Sequence, residues 1–480
     1  MEKIGDFLIN EIELSNHIQQ LCEELFPICR SITGNGVRKS LDILKQVSEF
    51  DVTEIPSGTQ CYDWTIPDEW NIEDAYVEDE QGNKIIDFQK NNLHVVNYSV
   101  PIDKVLSYEE LKSHLHTLEN LPDAIPYRTS YYNRDWGFCL SFNDFHKLNK
   151  KAKFHVVINS SIKPGSLTYG EYYIKGNSGK EFIFSSYCCH PSLANDNMSG
   201  MILWIILLKI LKSSKLNHSY RFVLVPETIG AIAYLAKNEK KMKQVDGGYI
   251  LTCVGGPNKF SYKPTFSENS LIDKIVHESF KESNMDYTTY PFDVNGSDES
   301  QFSAPFFRIP VGTICKDKYY EFDYYHTSLD NLNFIESKNI FDTLRIYLKV
   351  ISKLEKIKKL NIEIPKLNKT RINSKDKTIE SLNPYCEPML SKRKLYPTVG
   401  GQISQKAINF TKIHRSRDYT NNNNQKYSGR FIDAISWIMF YGDNLTTIEE
   451  IAKKSKLSIE IINEATDILV EQGLIKVNEQ

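Results

Sequence analysis

The stretch 182–208 constrains this chain more than any other. Phe182-Ile183-Phe184 opens a short apolar run, Cys188-Cys189-His190-Pro191-Ser192 makes a polar turn, and 201–208 is apolar without a break. That order reads as a buried strand, a turn and a helix buried on all sides. Asn197 and Ser199 are the expected caps of the helix. A strand–turn–helix unit of this kind belongs in an open α/β sheet, where ligands sit at the carboxyl ends of strands beside the starts of the next helices. His190 and Asp196 fall at that edge. An imidazole and a carboxylate there suit a metal ion; taken alone, they suit equally a hydrogen-bonded core histidine beside a helix-capping aspartate.

A chain of 480 residues, 41% hydrophobic and 25% charged, exceeds one core of ordinary size, so two or three domains are expected. A net charge of -3 gives no overall attraction to nucleic acid or to an anionic membrane. The N-terminus has no basic stretch followed by an apolar core, and the run 201–208 is far short of the ~20 residues of a membrane span, so no membrane partner is expected. Nine cysteines, odd in number and scattered, form neither a disulfide framework nor a CxxC pair. A reducing, cytoplasmic setting is the expectation.

Helical spacing runs from Leu14 to Leu25 and from Arg38 to Val47 around the loop Cys29-Arg30-Ser31-Ile32-Thr33-Gly34. Arg30 suits an anion or carboxylate contact with substrate, and an ordinary helix–helix turn explains the loop as well. Between 56 and 145 the texture changes to short alternating strands, read as a small β-rich unit inserted into a larger domain made of 1–55 and 146–360. In that larger domain, strands at 171–174, 181–186, 220–225, 248–253 and 309–314 alternate with helices at 198–212, 230–240, 271–282 and 338–354. This is the pattern of a three-layer α/β domain with a mixed sheet. A linker is expected over 361–426, rich in proline and including the asparagine run 421–424. The segment 427–480 reads as three short helices and a strand, the outline of a C-terminal winged helix. Its third helix carries Glu460, Glu464, Asp467 and Glu471 and no Lys or Arg, so DNA is an unsuitable partner, and a protein partner or a second copy is expected instead.

Four places in the α/β domain put polar groups just beyond a strand: His190 with Asp196, Glu227, Ser297-Asp298-Glu299, and Tyr325-His326. Two imidazoles and an aspartate suit a zinc ion with one open position, and a glutamate outside the ligand set suits the base of metal-assisted hydrolysis.

At these residues the chain resembles the M28-type zinc aminopeptidases, through Ala194-Asn195-Asp196-Asn197-Met198-Ser199-Gly200, Pro226-Glu227-Thr228-Ile229-Gly230, Ser297-Asp298 and Tyr325-His326-Thr327-Ser328-Leu329-Asp330. It is also similar over nearly its full length to a bacterial group of aminopeptidase-like proteins with an inserted β domain of unknown function and a C-terminal winged helix. The shared motifs there are Arg30-Ser31-Ile32-Thr33-Gly34, Thr129-Ser130-Tyr131-Tyr132 and Trp136-Gly137-Phe138-Cys139. The resemblance implies His190 and His326 as metal ligands, Asp196 as a metal-bridging aspartate, Glu227 as general base, and a setting in surface-polysaccharide biosynthesis. Tyr325 is the expected oxyanion donor. The chain departs from the family where Thr228 replaces a glutamate ligand and where Thr252 and Cys253 replace an aspartate ligand. One Zn2+ per chain is therefore expected. The expected activity is hydrolysis of an amide bond in a peptide or other small molecule. The alternatives are a catalytically silent scaffold and a deacylase of an amino-sugar precursor.

Overall fold

The computed structural model describes residues 2–357, 377–396, 399–401, 419–420, 426–427 and 429–479. In chain order the main strands are β1 (Asp51–Pro56), β2 (Glu69–Glu78), β3 (Lys84–Asp87), β4 (Ile102–Ser107), β5 (Lys153–Lys163), β6 (Ser166–Ile174), β7 (Glu181–Tyr187), β8 (Ser219–Val225), β9 (Gly247–Ile250), β10 (Phe260–Lys263), β11 (Tyr287–Thr289), β12 (Val311–Lys316), β13 (Lys377–Ser381), β14 (Asp443–Thr447) and β15 (Ile475–Glu479). The main helices are α1 (Glu11–Leu25), α2 (Asn35–Val47), α3 (Gly200–Lys212), α4 (Ile229–Met242), α5 (Leu271–Ser283), α6 (Ser337–Glu355), α7 (Gly429–Phe440), α8 (Ile448–Ser455) and α9 (Ile459–Glu471).

One eight-stranded mixed sheet, in the order β11-β10-β12-β9-β7-β8-β6-β1, forms the middle layer. Side chains alternate across it. Phe182 and Phe184 of β7 join the core under α1, α2, α3, α5 and α6, while Ile183 faces a second core shared with α4 and with Trp64 and Trp70 of the β-rich unit. Helix α3 explains its own composition. It is apolar enough to cross a membrane, yet 89% of the apolar window in 194–212 is buried inside the protein, where it packs on α2, α6 and the sheet.

The β-rich unit is a four-stranded antiparallel sheet, β3-β2-β5-β4. Its boundary lies later in the chain than the expected 145, because β5 at Lys153–Lys163 pairs with β2 and β4, not with the large sheet.

The C-terminal segment contains three helices and a three-stranded sheet in the order β14-β13-β15. Its central strand β13 comes from the stretch expected to be linker, so the C-terminal unit begins earlier than residue 427. Of that linker, 361–376, 397–398, 402–418 and 421–425, with the asparagine run 421–424, lie outside the described residues. The C-terminal core is not separate from the α/β domain: Phe266 and Val294 belong to it together with Phe431, Ile435 and Phe440 of α7.

Candidate active site

The four central strands β12, β9, β7 and β8 are parallel. From β7 the chain passes through α3 to β8 on one side, then through α4 back to β9 on the other. The carboxyl end of β7 is therefore a switch point, where neighbouring crossovers diverge and leave a crevice. His190 and Asp196 follow β7, Glu227 follows β8, Thr252 and Cys253 follow β9, and the loop after β12 delivers His326.

Asp196 sits in an irregular turn, Ala194–Ser199, with non-helical dihedrals at Asp196 and Asn197 and a cis Asp196–Asn197 peptide. Asn197 and Ser199 do not cap α3 as expected. Asn197 donates its amide to the Ser186 hydroxyl at 3.0 Å and the Tyr187 carbonyl at 3.0 Å, and Ser199 donates to the Asn195 carbonyl at 2.8 Å. What fixes the turn is Asp330: its carboxylate accepts from Asn195 N at 2.7 Å and from Asp196 N at 3.0 Å, and its carbonyl accepts from Ala194 N at 3.0 Å. Several non-glycine residues around the crevice hold left-handed backbone, among them Ser192, Thr228, Cys253, Tyr320 and His326. Such conformations persist where surrounding contacts enforce them. At His326 one of these contacts is Tyr127 N, which donates to the His326 carbonyl at 2.8 Å from the β-rich unit.

His190, Asp196 and His326 are all buried, and one potential ligand atom from each lies within 4.8 Å of the other two. His326 Nε2 stands 3.0 Å from Asp196 Oδ2. Even so, Asp196 Oδ2 and both ring nitrogens of His326 have no hydrogen-bond partner. Buried polar atoms left without partners are costly, and Asp196 Oδ2 beside His326 Nε2, with a ring nitrogen of His190 in reach, fits a shared cation. Burial pushes the His190 imidazole down to about 4, which keeps it neutral. Burial raises the Asp196 carboxyl, but the imidazoles of His190 and His326 and the Tyr187 hydroxyl outweigh it and hold it below the usual range. The donor set of two neutral imidazoles and one carboxylate suits zinc.

Tyr187 accounts for the other oxygen of Asp196. Its hydroxyl donates to Asp196 Oδ1 at 2.5 Å and lies 2.7 Å from the Thr252 hydroxyl. Glu227 Oε2 is 3.8 Å from His190 Nε2. Its carboxyl is driven far above the ordinary range by burial, then by the nearby carboxylates of Asp298 and Asp196. Asp298, itself pushed up to about 8 by burial, accepts from Thr228 N at 2.7 Å and has an unpartnered Oδ2. A second candidate group joins Cys189, His190 and Glu227. Its thiol is held far above the usual range by burial and by Glu227, so it is a poor ligand beside the first trio.

Tyr325 stacks on His326 with ring centroids 4.0 Å apart and lines the cavity above the trio. Arg30 does not reach that cavity, contrary to the expected substrate contact. It is fully buried; Nε donates to the His190 carbonyl at 2.9 Å and Nη1 to the Leu25 carbonyl at 2.7 Å, bracing His190 from behind. The rest of its motif ties the β-rich unit in place, through Ser31 to Asn97 at 2.5 Å and Thr33 to Trp70 N at 3.0 Å.

The cavity, of about 290 Å³, has walls from three regions. The β-rich unit gives Trp64, Tyr131 and Tyr132; the stretch 386–401 gives Glu387 and Tyr396; α7 gives Ile435, Met439 and Phe440. The sequence reading assigned none of the last two groups to the site. It also gave no role to Tyr187 or Asp330, although Asp330 ends the motif that carries His326.

A family model described as a domain of unknown function, DUF4910, matches residues 19–357. A Clostridium acetobutylicum protein named for polysaccharide biosynthesis, with an aminopeptidase-like domain, is 41% identical over 477 residues, 99% of this chain and 100% of that one. A crystal structure from Clostridium acetobutylicum, described as a peptidase by its assigned name, is 40% identical, covers 98% of each chain and superposes with a TM-score of 0.70. BSAP, a zinc aminopeptidase from Bacillus subtilis, is 14% identical, covers 75% of this chain and 98% of its own, and gives a TM-score of 0.54, a likeness of fold.

Proposed function

The chain belongs to the DUF4910 family, and on that footing we propose that it is a zinc-dependent hydrolase of aminopeptidase type, cleaving an amide bond at a single metal position. The observation that carries this reading is the buried trio His190, Asp196 and His326, which brings one ligand atom of each within 4.8 Å of the others and leaves Asp196 Oδ2 and His326 Nε2 without a hydrogen bond. Bound there, zinc would supply Lewis-acid polarisation of the amide carbonyl and a more acidic water. Glu227 stands beside the trio, outside the set needed to hold the ion, and serves as base once a bound cation offsets the burial and the carboxylates that raise its carboxyl: it takes the proton from water and returns it to the leaving amine. Asp298 fixes the backbone next to Glu227 through Thr228 N. Tyr325, which stacks on His326 and lines the cavity, would donate to the oxygen on which charge develops.

One metal suits these residues better than two. Asp196 Oδ1 is taken by Tyr187, Thr252 is engaged with the same hydroxyl, and Thr228 offers no carboxylate. The name of the Clostridium relative supports a setting in polysaccharide biosynthesis, where deacylation of an amino-sugar precursor is one form of the same reaction. For the C-terminal unit, an acidic α9 supports a protein partner over DNA.

The full-length Glu227→Gln protein tests the assignment. Zinc content is expected to match wild type, while amide turnover falls by ~10²- to 10⁴-fold. Unchanged turnover removes Glu227 as base. A wild type inert toward both peptide amides and N-acyl amino sugars favours the scaffold.

A further inference from the structure

The cavity contains the carboxylates of Glu227 and Glu387, and among the described residues no Lys or Arg lines it. Glu387 is the less expected of the two, since the metal trio does not involve it. Three bonds fix it. Gln301 Nε2 donates to Oε2 at 2.7 Å, Glu387 N donates to Gln301 Oε1 at 3.1 Å, and Trp64 Nε1 donates to the Glu387 carbonyl at 2.8 Å. No ion pair or hydrogen bond meets Oε1 among the described residues. The side chain is exposed to the cavity, yet enough protein surrounds it to push its carboxyl up to about 6. A positioned carboxylate with a free oxygen, no cation, and aromatic rings in the same wall is the complement of an organic cation.

We propose that Glu387 is a specificity residue that anchors an ammonium group of the substrate, while Ile435, Met439 and Phe440 of α7 receive the substrate's apolar part. The proposal rests on the hydrolase reading for the identity of the bond cleaved, and its test reads binding alone. An ammonium belongs equally to an amino acid amide and to an amino sugar, and both meet Glu387 by the same charge.

The test uses full-length, zinc-loaded Glu227→Gln protein, in which turnover does not consume the probes and Glu387 is the remaining carboxylate assigned to bind the ammonium. L-leucinamide and glucosamine are titrated beside their N-acetyl derivatives. At least one amine is expected to bind about tenfold more tightly than its acetylated form. Which amine does so identifies its source. Adding Glu387→Gln, and separately Glu387→Ala, is expected to erase the preference at unchanged zinc content. Equal binding of amine and acetylated forms, a preference that survives both substitutions, or no binding of any amine each overturns the proposal. A preference found in a protein whose wild type hydrolyses no amide keeps this proposal and removes the hydrolase reading.

Discussion

Asp196 has two carboxylate oxygens, and Tyr187 takes one of them. The tyrosine therefore limits how Asp196 meets a cation: Oδ2 remains, and the Tyr187 hydroxyl orients the group and lowers its basicity. Tyr187→Phe is expected to weaken zinc binding by roughly 10- to 100-fold at unchanged stoichiometry, measured by competition with a chelator. Wild-type zinc affinity in that variant contradicts the role given to Tyr187. His190, Asp196, Glu227 and His326 were legible because each lies in a polar motif just beyond an apolar strand. Tyr187 was not, because an aromatic residue ending a buried strand reads as core. Arg30 was misread for a related reason: a charge in a polar loop reads as accessible, whereas here it is fully buried and bonded to two backbone carbonyls.

At the scale of elements, the parallel strands set the chemistry, because the divergence of crossovers at β7 brings residues far apart in sequence to one edge. Alternation of apolar runs and amphipathic helices made those strands readable. The loops between them were not, since their shape depends on long-range bonds such as those from Asp330 to the turn Ala194–Ser199. Asp330→Asn replaces one acceptor oxygen with an amide donor facing a backbone N–H, at a cost of roughly 1–3 kcal/mol. The variant is expected to bind zinc more weakly while keeping the wild-type circular dichroism spectrum; wild-type affinity contradicts a positioning role. The stretch 153–163 was placed in the α/β domain because an alternating strand carries no mark of which partner it joins.

Across the whole molecule, the C-terminal unit is built against the α/β domain. Arg308 Nη2 meets Asp443 Oδ2 at 3.0 Å and the Phe440 carbonyl at 3.1 Å, with side-chain exposures of 13% and 10% for the charged pair. Asp443→Ala leaves a largely buried guanidinium without its counter-charge, so a loss of roughly 3 kcal/mol in denaturant unfolding is expected, and a change under about 0.5 kcal/mol contradicts the docking described. This docking was not legible, because the sequence shows α7 as an apolar stripe without saying what covers it. Cutting away the C-terminal unit would disturb the rest, since Phe266, Val294 and one cavity wall lose their cover. All of these readings meet at one centre, and the most direct measurement is the metal content of full-length protein purified without chelator, taken beside His326→Ala. The account predicts about one zinc per wild-type chain and almost none in the variant. Two equivalents in wild type, or less than about a tenth that added zinc does not restore, would contradict it.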